Sequence, residues 1–204
     1  KDKTTELESS SKGLAGAVGG LKTAYAALAG IVSGVVVVAL GKALQKGIEF
    51  LDLQGDFINQ FKGVSNEALK VRDNLVGAFG LPLAEATKLL ATTGKFAQNL
   101  GFTAGESLKL ADNIARLSVN LADSSTSGVT ASQASEALTR ALGGQTRGLI
   151  ELGIQVTDTD IKQEALARGI SIASLETDKA TKAQIIFDLA LRKSGQGLEA
   201  ATIA

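Results

Sequence analysis

Nineteen consecutive uncharged residues, 23–41 of 204, constrain this chain more than any other feature. A helix of that length spans roughly 28 Å at about 1.5 Å per residue, close to the thickness of a bilayer core. Apolar residues also recur at alternating spacings of four and three, the heptad pattern through which like helices pack together. This heptad seam ends where Ala39 and Lys42 take its next two positions. The seam residues, which we predict to mediate oligomerisation, are Leu14, Val18, Leu21, Tyr25, Leu28, Val32 and Val35.

Glycines are frequent in the same region, although each glycine inside a helix costs about 1 kcal/mol relative to alanine. Two pairs, Gly16 with Gly20 and Gly30 with Gly34, have the spacing that lets helix backbones pack closely, mostly inside membranes. We therefore predict that residues 1–42 form an apolar self-associating helix of coiled-coil or membrane type, with a possible transmembrane segment at 23–41. A buried core helix, or a short strand in its β-branched valine run, is the alternative.

The residue types that are missing exclude most familiar chemistry. The chain has no histidine, cysteine or methionine. It therefore lacks the commonest general base, the commonest metal ligand and any Ser-His or Cys-His nucleophile pair. Lys and Arg number 21, as do Asp and Glu, so no basic surplus predicts a nucleic-acid groove. We expect no catalytic site, metal site or cofactor, and the missing methionine favours a piece of a longer protein.

Three short motifs resemble chemical sites, but helix capping or turn formation explains each of them. Glu106 precedes Ser107, as the catalytic glutamate of lytic transglycosylases precedes a serine, yet it also stands three residues after Thr103, the capping-box spacing. Residues 143–148 (GGQTRG) lack the Lys-Ser/Thr pair of a phosphate loop. Residues 158–160 (DTD) lack the glycine and closing glutamate of a calcium loop. A peptidoglycan-cleaving module is therefore the least favoured function.

From residue 43 onward, apolar spacing and capping residues predict short amphipathic helices joined by short loops. The expected fold class is all-α, with the long apolar N-terminal helix followed by this multi-helix domain. The first three of these helices are expected to end near Gly63, Gly80 and Gly94, because glycine commonly ends a helix.

The small polar segment 123–130 (DSSTSGVT) predicts a linker. It would separate a helical domain at 43–122 from a helical subdomain at 131–204. In the subdomain, Thr130 opens a helix by the capping-box spacing. Asp158 or Thr159 is expected to cap the next helix, and Thr177 or Asp178 the last one. From residue 43 onward, short β-branched runs at 154–157 and 170–172 are the only signals that favour strands.

The order of four segments resembles the tape measure proteins of long-tailed bacteriophages and prophages. These motifs are structural rather than catalytic, and the stretch that carries the resemblance, from about Ser65 to Ala190, covers more than half of the chain. The segments are 83–94 (LAEATKLLATTG), 101–111 (GFTAGESLKLA), 134–154 (ASEALTRALGGQTRGLIELGI) and 160–170 (DIKQEALARGI), followed by the helix after Thr177.

The resemblance implies a structural virion protein, mostly helical, that lies in the tail tube lumen as a small homo-oligomer, with a trimer preferred. Its length would set the tail length during assembly. At infection it would leave before the DNA and help genome passage through the host envelope. The implied partners are other copies of itself, tail tube and tail tip proteins, tail assembly chaperones and the host inner membrane, without sequence-specific nucleic-acid binding. The implied location is the phage tail, and the host membrane during infection.

A membrane-active toxin or effector is the alternative from a different functional class. Such a protein would use a helical bundle to deliver an apolar hairpin into a bilayer. The hairpin needs a second apolar segment of similar length, and none occurs after Gly41. The sequence therefore favours the tape measure interpretation.

Overall fold

A computed structural model describes residues 34–125 and 128–195, with side chains from residue 45 onward. Its described residues are helical and contain no strand, which confirms the all-α fold class. The valine run at 35–38 is helical, so the strand alternative is wrong there. The helices are α1 Gly34–Gln60, α2 Ser65–Phe79, α3 Leu83–Asn99, α4 Ala104–Ser124, α5 Ala131–Leu142, a 3-10 helix Thr146–Leu152, α6 Asp158–Ala167, α7 Ile172–Thr177 and α8 Lys179–Lys193.

The capping residues behave largely as the sequence predicts. Thr103 caps α4 in a reciprocal capping box, and Thr130 does the same for α5. Asp178 caps α8 by accepting a hydrogen bond from the Thr181 backbone N–H at 3.0 Å. The cap of α6 is Thr157, so the expectation of Asp158 or Thr159 was wrong by one or two residues. Thr157 has the extended backbone that a cap requires, whereas Asp158 is already the first helical residue.

The third helix does not end at Gly94 as expected, since α3 continues to Asn99. Gly94 is a packing position rather than a helix stop. A Cβ atom placed on it would lie 2.3 Å from Cζ of Phe61, so only glycine leaves room for that ring. Apolar spacing through Phe96 and Ala97 signals the longer helix in the sequence.

Two hydrophobic cores share α4 as their common wall. The first core joins α1, α2, α3 and α4, and the second joins α3 to α8 with the 3-10 helix. Two apolar stripes on α4, offset around its axis, serve one core each. The first-core stripe is Leu108, Ala111, Ala115 and Val119, and the second-core stripe is Leu110, Ile114, Leu117 and Leu121.

The segment expected to be a linker is shorter than its composition indicates. α4 continues through Ser124, and α5 begins at Ala131. The two helices pack against each other, and Ala131 belongs to the first core. The division into a domain at 43–122 and a subdomain at 131–204 stays a prediction. In this structure α2 to α8 are joined by helix contacts and by the two cores, and we call them the bundle.

Candidate self-association site

The predicted self-association residues lie almost entirely before the described part of the chain. Gly34 and Val35 are the first two described residues of α1. Within the described residues, no helix is both long and apolar enough to cross a membrane, and only the end of the 23–41 segment falls among them. The predicted residues that lie outside the described ones are Leu14, Gly16, Val18, Gly20, Leu21, Tyr25, Leu28, Gly30 and Val32.

The C-terminal end of α1 is anchored by two phenylalanines. Phe57 and Phe61 are both fully buried. Their rings meet edge to face, with centroids 5.3 Å apart and planes at 68°. Such aromatic pairs contribute about 0.5–1.5 kcal/mol beyond their buried area. The Phe61 ring also lies over Gly94 of α3, where the absence of a side chain forms a notch.

Two hydrogen bonds support this anchor from neighbouring helices. The Gln98 side-chain amide donates to the backbone carbonyl of Gln60 at 2.9 Å. This carbonyl is one of the last four of α1, which have no partner within the helix. Arg72 of α2 donates to Oε1 of Gln54 at 3.1 Å. The C-terminal ends of α1 and α3 therefore meet, and α2 contacts α1 about two turns earlier.

Upstream of the anchor, the apolar residues of α1 are only half-buried. Ile48, Phe50, Leu51 and Leu53 have intermediate exposure, and neither core of the described residues includes them. A helix with apolar residues on several sides is normally buried on those sides. The bundle covers α1 well at its end and incompletely before it.

Glu106, the candidate catalytic acid, takes part in the capping box at the N-terminus of α4. Its carboxylate accepts hydrogen bonds from the Thr103 backbone N–H at 2.9 Å and from the Thr103 hydroxyl at 2.7 Å. These hydrogen bonds lower the pKa of Glu106 below its ordinary value. A general acid working near neutral pH needs a raised pKa, so the geometry favours the capping role.

The other two chemical motifs are also parts of turns and caps. Gly143 ends α5, and the loop to the 3-10 helix borders an open groove of about 800 Å³. Asp160 accepts from Nζ of Lys193 at 2.8 Å and from the Thr157 backbone N–H at 2.8 Å. Lys193, followed by Thr157, lowers the pKa of Asp160 to about 2. The described residues contain no cluster of three acidic side chains able to hold a metal ion.

An ion-pair network between α6 and α8 was not predicted from the sequence. Arg168 contacts Glu164 at 2.8 Å and Asp188 at 2.9 Å, and Arg192 also pairs with Glu164. The two arginines lower the pKa of Glu164. Only the Glu164–Arg168 spacing of four residues was visible in the sequence, because the other pairs join separate helices.

A second unpredicted group stands beside the first core. Asp112 and Arg116 pair at 2.7 Å within α4, and the Arg116 guanidinium lies 5.4 Å from the ring centroid of Phe79. Burial raises the pKa of Asp112, and Arg116 offsets part of that rise. The pair holds the end of α2 against α4 by a cation–π contact.

Comparison with known proteins adds no identification. No protein-family model, curated protein or solved structure matches the chain. The resemblance to tape measure proteins therefore depends on the four quoted segments and their order.

Proposed function

We propose that this chain is a segment of a phage tape measure protein, with a self-associating apolar helix followed by a helical bundle. The observation that carries the proposal is the continuity of α1. This helix is described from Gly34, inside the uncharged stretch, and runs without a break to its anchor at Phe57 and Phe61. Its 27 residues span roughly 40 Å. A force or displacement along the apolar stretch would therefore reach the bundle directly.

The proposed role is mechanical. A helix converts chain length into distance at about 1.5 Å per residue, so a long helical protein can set the length of a tube. Packed copies would shield the apolar stretch during assembly. Each Å² of apolar surface exposed to water costs roughly 25 cal/mol, so on ejection the stretch would need a new apolar environment. The host inner membrane supplies one.

The local chemistry of the bundle supports a structural role. Its strongest candidate acid, Glu106, has a lowered pKa and holds a helix end. Asp160 is held in the same way by Thr157 and by Lys193 of α8. Both carboxylates stabilise helices at their N-termini, where negative charge is favourable.

Mass spectrometry of purified virions tests the proposal. Tails separated from heads should contain peptides from residues 45–195 at a few copies per particle. Tails without these peptides would contradict it. Zymography of the purified chain on cell-wall substrate adds a second test, because clearing of the substrate would overturn the purely mechanical role.

A further inference from the structure

One side of α1 carries both the end of the predicted seam and the residues that dock the bundle. Val35 and Leu53 stand 18 residues apart in this helix, which is five turns at about 3.6 residues per turn. Phe57 and Phe61 follow Leu53 at spacings of four. All four positions therefore lie on one half of the helix surface.

The bundle already occupies the downstream part of that side. Phe57 and Phe61 are fully buried, and the Phe61 ring fills the notch at Gly94 of α3. The Gln98 amide fixes the same helix end through the Gln60 carbonyl. A second copy of α1 packed on this side would have to displace α3.

Two lysines lie between the part of α1 that carries the predicted seam and the part that contacts the bundle. Lys42 and Lys46 fall on the same side of α1, between Val35 and Leu53. In a parallel assembly they would bring like charges together at the seam, which lowers its stability. The seam is therefore weakened between Val35 and the residues of α1 that contact the bundle.

We infer that α3 takes the place of a neighbouring copy on α1, so that docking of the bundle ends the self-association seam. Release of α3 lets a second copy of this chain pack along Leu53, Phe57 and Phe61. The inference rests on the proposed self-association of the upstream helix. According to this inference, α3 and a second copy of the chain compete for the same apolar surface of α1. The notch at Gly94 decides the outcome, because it lets α3 pack on the Phe61 ring.

Cysteine cross-linking tests this competition, because the chain has no cysteine and an introduced thiol is the only one present. Leu53→Cys is treated with a short bis-maleimide in the full chain, alone and combined with Gly94→Ala. Leu53→Cys alone should give little covalent dimer, whereas the double variant should give at least about fivefold more. This factor is the lower end of the shift in docking expected from an overpacked notch.

The controls separate this inference from the proposed function. Gly77 is exposed and a Cβ there meets nothing within 4 Å, so Gly77→Ala should leave the Leu53→Cys result unchanged. Leu28→Cys reports the upstream seam and should cross-link in every background. Cross-linking at Leu28 with none at Leu53 in the Gly94→Ala background overturns the inference and leaves the self-association proposal standing. Failure at Leu28 overturns that proposal.

A second, milder variant keeps the test informative if Gly94→Ala prevents the chain from folding. Gln98→Ala removes only the hydrogen bond to the Gln60 carbonyl and should raise cross-linking at Leu53 by a smaller factor. Added salt should raise it further, because it screens repulsion among the lysines. Efficient cross-linking of Leu53→Cys with the notch intact would contradict the inference, since α3 would not be excluding the second copy.

Discussion

The helices α1 and α4 both carry long apolar surfaces, but these surfaces are buried to different extents by the rest of the chain. The two stripes of α4 are buried in two cores made by its own chain. At the C-terminal end of α1, the fully buried side chains among those described are Phe57 and, one residue past the helix, Phe61. The difference indicates that the apolar surface of α4 is covered within one chain, whereas part of the apolar surface of α1 is incompletely covered, as the proposed self-association requires.

The largest expected effect is the difference in unfolding free energy between a core substitution in α4 and a substitution in α1. Ile114→Ala in α4 removes a side chain with 0% exposure from the second core. It should lower the free energy of unfolding by about 2–5 kcal/mol, because it leaves a cavity. Ile48→Ala in α1 removes a half-buried side chain outside both cores and should cost less, about 1–2 kcal/mol. Urea unfolding of both variants measures the difference, and equal losses would contradict the comparison.

The notch between α1 and α3 is expected to give the next largest effect. Gly94→Ala should cost about 1–3 kcal/mol, because the new methyl group overlaps the Phe61 ring. Gly77→Ala, in open space on α2, should instead stabilise by up to about 1 kcal/mol. Phe61→Leu in the Gly94→Ala background should recover part of the loss. Additive effects of these two substitutions would show that the ring and the notch are not coupled.

Removal of the N-terminal cap of α4 should have a smaller effect on stability, and it tests an interaction that lies within α4 and does not involve α1. Thr103→Ala should lower the free energy of unfolding by about 1 kcal/mol, since it leaves a backbone N–H at the helix end without its acceptor. Thr92→Ala, at an exposed mid-helix position of α3, is the matched control and should be neutral to slightly stabilising, because alanine is the better helix former. Thermal unfolding compares them, and a Thr103→Ala variant as stable as the control would rule out the cap.

The smallest expected effect depends on pH. The pKa of Asp160 is lowered to about 2 by Lys193 and Thr157, so its ionised form stabilises the folded chain. This contribution is present above the unfolded pKa near 4 and is lost as the pH falls from about 4 to about 2. Asp160→Asn should remove that part of the acid dependence, with Asp158→Asn as control. An unchanged profile of Tm against pH between about 4 and 2 would contradict the assignment.

The sequence predicts the local features of this fold and misses those that depend on distant contacts. The capping boxes at Thr103 and Thr130 are set by neighbouring residues, and both are present. Gly94 was misassigned because glycine can end a helix or admit a ring, and only the contact with Phe61 decides between them. The Arg192–Glu164 pair joins residues 28 apart, so no local pattern shows it.

In the candidate self-association site, too, the sequence predicts the local features and misses the contacts between distant residues. The heptad spacing and lack of charge indicate self-association from the sequence alone, since both depend on one continuous helix. The docking of that helix through Phe57 and Phe61 depends on how α3 folds back on it. The sequence shows these residues as apolar positions of one face, without indicating which neighbour covers them.

The mass of the full chain in solution tests self-association most directly. Sedimentation equilibrium across a range of concentrations should show an oligomer, and a trimer would have three times the chain mass of 20.9 kDa. A single species of 20.9 kDa at every concentration would contradict the prediction that residues 1–42 form a self-association site.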